Sequence, residues 1–68
     1  MDPNANLVEQ EQLLTRRHDT GALTTTEWGR LDELREALSH WLASGGFQPN
    51  WLAAPNAATR FDDVRRHA

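Results

Sequence analysis

The 68-residue chain has no cysteine and a formal net charge of −3, which makes it one small domain with no disulfide or thiolate metal site to staple it. Such a chain buries only about 60% of the surface its unfolded form exposes, so helix packing, self-association or a partner must supply its stability. All seven basic residues are arginine against ten acidic ones, which argues against general nucleic-acid binding, and no apolar run approaches the ~18 residues that span a membrane.

The apolar residues are biased toward helix. Nine are leucine, none is isoleucine, and only Val8 and Val64 are β-branched aliphatics. The expected fold is all-α: an antiparallel two-helix hairpin, a turn segment carrying Trp and Phe, and a short third helix permitted at the C-terminal end.

Asp2-Pro3 opens the first element. Aspartate is a good N-cap, and proline at the first helical position loses no hydrogen bond. Asn6, with Glu9 three residues on, offers a second start. Leu7, Leu14 and, slightly off-axis, Val8 form a thin apolar stripe, which Leu13 widens. Glu9, Gln12 and Arg16 face away. The helix is expected over about residues 3–18, ending before Gly21, which suits a left-handed C-terminal position.

Thr24-Thr25-Thr26-Glu27 spells a capping box, and Leu23 and Trp28 flank it at the spacing of a hydrophobic staple. From there Trp28, Leu31, Leu34, Leu38, Trp41 and Leu42 fall within an arc of about 140°, the width of a buried helix face. Asp32, Glu33, Glu36, Ser39 and His40 lie opposite. Gly45-Gly46 ends this helix, expected over residues 25–44. With Gly46 as the left-handed residue, Phe47 would fold back onto Leu42.

Residues 45–55 read as a turn or a single helical turn, with Phe47, Trp51 and Leu52 covering the open end of the hairpin. Pro55-Asn56 permits a short helix within residues 56–68, with Ala57, Phe61 and Val64 on one face. Two helices alone enclose no core. Residues 47–52 must lie across them, or a second copy or another protein must supply the missing layer.

No residue pattern suggests catalysis or a cofactor. His18, His40 and His67 lack metal-ligand spacing, and there is no HExxH or CxxC motif. Asp32-Glu33 would ionise together on a polar face, and Asp62-Asp63 adjoins arginines, so neither pair splits its pKa values as acid–base catalysis requires. Arg16-Arg17-His18 and Arg60, Arg65, Arg66, His67 complement helix C-termini, with an anion or nucleic-acid contact as the functional alternative. A helix-turn-helix is set aside because the joining loop reads as too long and the second helix begins Thr-Thr-Thr-Glu-Trp rather than with basic residues. The three tryptophans are the most informative residues, since tryptophan either enlarges a small core or anchors an interface.

Three stretches carry a resemblance: Met1-Asp2-Pro3-Asn4-Ala5-Asn6-Leu7 at the start, a Leu-rich central helix closing with Trp41-Leu42, and Ser44-Gly45-Gly46-Phe47 followed by Pro49 and Trp51. In these the chain resembles small helical proteins encoded by actinobacteriophages and their hosts. The likeness leaves out the stretch after Trp51. It implies a phage or mobile-element origin and an all-helical fold, and it names no catalytic residue and no cofactor.

The expected function is that of a small phage-type accessory protein that binds another protein through Trp28, Trp41, Phe47, Trp51 and Leu52. The alternative is a self-assembling structural or minor virion protein. A third reading is weak nucleic-acid binding through Arg16, Arg17, Arg60, Arg65 and Arg66. The polar, acidic opening lacks the basic start and apolar run of a signal peptide, so the expected location is the host cytoplasm.

Overall fold

A computed structural model describes residues 1–62. Within them the chain is all-helical. The first helix, α1, spans Pro3–Thr20. Asp2 caps it as expected: its carboxylate accepts the N–H groups of Asn4 and Ala5 at 3.0 and 3.2 Å. Gly21, at φ 83°, stops it, and its N–H donates to the Arg17 carbonyl. The helix continues beyond His18, and in its last turn the Thr20 hydroxyl shares its one hydrogen between the carbonyls of Arg16 and Ala22.

The second helix, α2, spans Thr25–Ala43 and starts at the expected capping box. The Thr24 hydroxyl accepts the Glu27 N–H at 3.1 Å, and the Glu27 carboxylate accepts the Thr24 N–H at 2.9 Å. At its other end Gly46 donates to the Trp41 carbonyl and Gly45 to that of Leu42, the paired bonds of a Schellman stop. The left-handed residue is Gly45, at φ 89°, and not Gly46. Gly46 meets a different demand: a Cβ there would collide with the Trp41 indole, which lies across it.

Three cross-helix contacts set the direction of α2. Asn6 meets Leu34, Glu9 meets Arg30 and Arg16 meets Glu27, so one index falls as the other rises and the helices are antiparallel. The connection is residues 21–24, shorter than the sequence suggests because α1 runs on to Thr20. That length suits a helix-turn-helix joint, but antiparallel packing does not give the crossing of about 90–120° that such a motif needs.

The missing layer comes from the chain itself. A 3₁₀ turn at Trp51–Ala53 leads into α3, Pro55–Thr59. Leu7, Leu38, Ala54, Ala57 and Phe61 form one buried cluster, with Leu14, Trp41, Leu42 and Trp51 packed against it. Alanines at 54, 57 and 58 are buried, and their small side chains let α3 lie close against α1. Leu31 and Leu34 are buried along α2. Two apolar expectations fail: Val8 on α1 is exposed, and so is Trp28 at the edge of the α2 face. Val64, assigned to the α3 face, lies outside the described residues.

Side chains of α1 hold this third layer by its backbone. Asn4 Oδ1 accepts the Asn50 N–H at 2.7 Å. About two turns further along the same face, Glu11 accepts the Ala57 N–H at 2.8 Å and the Asn56 side-chain amide at 2.9 Å. The N-cap residue of α3, Ala54, offers no side-chain bond, so Glu11 caps α3 from another helix. Glu11→Ala therefore leaves a part-buried N–H unpaired and should cost about 1–3 kcal/mol in urea denaturation. Glu11→Gln, which keeps an acceptor oxygen, should recover part of that loss. Equal stability of all three proteins would contradict the capping role.

Glu9 and Glu27 join the helices of the hairpin. Hydrogen bonding to Arg30 holds the Glu9 carboxyl below its ordinary value of 4.5. The Thr24 backbone N–H does so for Glu27, helped by the Thr24 hydroxyl and by the charge of Arg16. Depressed folded-state values mean that both carboxylates stabilise the fold fully above pH 4.5, the value expected for the unfolded chain. The contribution disappears as pH falls through the folded values. Thermal midpoints should therefore decline below pH 4.5, and Glu27→Gln should flatten that decline.

Candidate functional site

The five residues expected to form an interface separate into two places. Trp41, Phe47, Trp51 and Leu52 lie beyond the middle of α2 and in the segment that follows it. Trp28 lies in the first turn of α2, about 20 Å away along the helix axis from Trp41 at 1.5 Å per residue. The two tryptophans also face opposite edges of the apolar arc, so they do not share one surface.

The segment after α2 is held from several sides. The Trp41 indole N–H donates to the Phe47 carbonyl at 3.0 Å, and the Phe47 ring meets the Trp41 ring edge-on at 5.5 Å. Phe47 thus folds back onto Trp41, where the sequence pointed to Leu42. Asn50 works at both ends of its residue: its N–H donates to Asn4, and its side chain accepts the Leu52 N–H, capping the 3₁₀ turn. The Trp51 indole N–H donates to Gln48 at 2.7 Å, and its ring packs at 5.5 Å against Phe61.

Exposure sorts the four. Trp41 and Trp51 are half-buried and part of the core wall. Phe47 is 61% exposed and Leu52 is 90% exposed. Leu52 therefore does not cover the end of the hairpin, whereas its neighbour Trp51 packs against the core cluster that contains Phe61. Two apolar side chains, Phe47 and Leu52, thus face solvent from one short segment whose backbone polar bonds keep in place.

At the other end, the Arg17 guanidinium sits 5.0 Å over the Trp28 ring, a cation–π contact. Both line an open cleft of about 720 Å³ with Leu14, His18, Gly21, Asn56, Thr59 and Arg60. Arg16 is engaged elsewhere, bonded to Glu27 at 3.0 Å. Arg65, Arg66, His67 and Asp63 lie outside the described residues. Sequence reading placed Arg17 and Arg60 in separate clusters, and no local pattern says that they meet. Docking of α3 on α1 brings them together.

Asp32 and Glu33 are exposed, and Glu33 bonds to Arg30 at 3.1 Å. His18 and His40 are exposed at opposite ends of the hairpin. Among the described residues no three His, Cys, Asp or Glu side chains gather to hold a metal ion. No helix among them is long and apolar enough to cross a membrane.

Sequence reading missed a buried polar pair. Asn6 and Gln10 are buried between the helices: Gln10 Nε2 donates to Asn6 Oδ1 at 2.7 Å, and Asn6 Nδ2 donates to the Leu34 carbonyl at 2.9 Å. Their spacing of one helical turn, next to Leu7, was the available signal, but amides at that spacing are common on exposed faces. Comparison with protein families, with curated proteins and with solved structures finds no match to this chain.

Proposed function

We propose that the chain is a phage-type accessory protein that works by binding another protein, without catalysis, in the host cytoplasm. The segment carrying Phe47 and Leu52, backed by Trp41 and Trp51, is the binding surface. The observation that carries this reading is Leu52, 90% exposed on a turn whose backbone is pinned by Asn50 and whose neighbour is anchored in the core. Burying a leucine fully is worth about 1.5–3 kcal/mol, and an immobile host loses little entropy when a partner does so. Exposed apolar residues are ordinary singly, and the support here comes from two on one fixed segment.

Self-assembly loses its main motive, because residues 51–61 close the core that a second copy was needed to complete. Trp28 falls outside the proposed surface. The test uses a photo-crosslinking residue at position 53, exposed beside Leu52, in an actinobacterial lysate, with Phe47→Ser alongside. One dominant adduct that weakens at least about tenfold in Phe47→Ser, a loss of roughly 1.4 kcal/mol, is expected. Adducts equal in both proteins, or only with the bait itself, would overturn the reading. Leu52→Asp should behave as Phe47→Ser does with helicity unchanged, since Leu52 packs on little.

A further inference from the structure

Arg60, which lines the cleft beside Trp28, has one guanidinium nitrogen without a partner. Arg60 Nη1 is shut away from solvent and has no hydrogen-bond partner. Arg17 lines the same cleft, Arg35 approaches Arg60 from α2, and Asp32 is the acid that opposes them. No ion pair among the described residues joins Arg60 to that acid. Burial, then the charges of Arg35 and Arg17, pull the Arg60 guanidinium below the ordinary arginine value. It stays charged at neutral pH regardless, because arginine is not deprotonated in proteins. A charged N–H without an acceptor destabilises the fold, and an anion in the cleft would offset the mutual repulsion of the Arg60, Arg17 and Arg35 guanidinium groups.

The geometry points to a phosphate-binding site in this cleft, with Arg60 and Arg17 as the two guanidinium ligands and Trp28 as its wall. Two guanidinium forks match the charge and the oxygens of a phosphate group. His18, Asn56 and Thr59 add polar groups at the rim. Arg17, held over the indole, is set in place before a ligand arrives. The cleft volume of about 720 Å³ admits a small molecule that carries the phosphate. The site is independent of the Phe47–Leu52 segment, and neither proposal needs the other.

The probe is inorganic pyrophosphate, added against sodium chloride of equal ionic strength and followed by NMR through the three indole N–H signals. The Trp28 signal should shift to saturation while those of Trp41 and Trp51 stay still. Arg17→Gln and Arg60→Met should each weaken binding by about tenfold or more. In phosphate-free buffer Arg60→Met should raise the melting midpoint by a few degrees, because it removes the unpartnered charge and keeps the stem. In the wild type, pyrophosphate at about ten times its Kd should raise that midpoint by about 5–10 °C. A Trp28 shift that tracks ionic strength alone, undiminished binding in both variants, or binding of single-stranded DNA with no response to pyrophosphate would each overturn the proposal. Arg17 is exposed, so Arg17→Gln remains a fair test even where Arg60→Met folds poorly.

Discussion

Phe61→Ala should release the C-terminal layer and leave a hairpin that is largely unfolded at room temperature. Phe61 is 3% exposed, belongs to the cluster of Leu7, Leu38, Ala54 and Ala57, and supports the Trp51 ring. Truncating a buried phenylalanine costs about 3–5 kcal/mol, part of it for the cavity left behind. A domain of this size holds only about 3–10 kcal/mol in total. Two of its cluster neighbours, Ala54 and Ala57, are too short to reach across and fill the hole. Circular dichroism should show lost helicity, and Trp51 emission should move to the red as its ring enters water. A melting midpoint within about 5 °C of wild type would mean that residues 51–61 do not close the core.

The second large effect concerns the buried amides. Asn6→Leu keeps the side-chain volume but strips Gln10 Nε2 of its acceptor in a site where Gln10 is 0% exposed. The expected cost is about 2–3 kcal/mol, the cost of an unpaired buried donor plus a lost bond to the Leu34 carbonyl. Gln10 Oε1 already lacks a partner. Gln10→Met removes that defect and orphans Asn6 Oδ1, so it should cost less, about 1 kcal/mol. The double variant Asn6→Leu/Gln10→Met leaves neither amide unpaired and should return close to wild-type stability. Denaturation of all four proteins should therefore give a coupling of about 3–4 kcal/mol, and simple additivity would contradict the network. The pair also links α1 to one carbonyl of α2, which fixes how far one helix slides along the other. The double variant should accordingly show broader amide resonances along that interface while staying folded.

Local chemistry made much of the fold legible. The Asp2-Pro3 start, the Thr24/Glu27 box and the Leu31–Leu34–Leu38 stripe act within a few residues, and each appears in the structure where the sequence puts it. What depends on long-range contact was hidden. Glu11 caps a helix 46 positions further on, and its own neighbourhood gives no sign of it. Gly46 looks like a left-handed stop and is instead the floor under an indole. Leu52 looks like a cover for the hairpin end, yet the 3₁₀ turn puts Trp51 inward and Leu52 outward, which spacing in an irregular segment does not reveal. Trp51 therefore makes a poor probe of binding, because replacing it damages the core. Leu52 is the residue whose change reads on the surface alone.

Residues 51–61 complete the core of the hairpin, and the proposed interface is Phe47 and Leu52, which stay exposed beside it. The most direct measurement is thermal unfolding of wild type at two concentrations about a hundredfold apart, with sedimentation at the higher one. A monomer whose melting midpoint is the same at both is the predicted result. A midpoint that climbs with concentration, together with a dimer or larger species, would contradict it, because unfolding coupled to dissociation must depend on concentration.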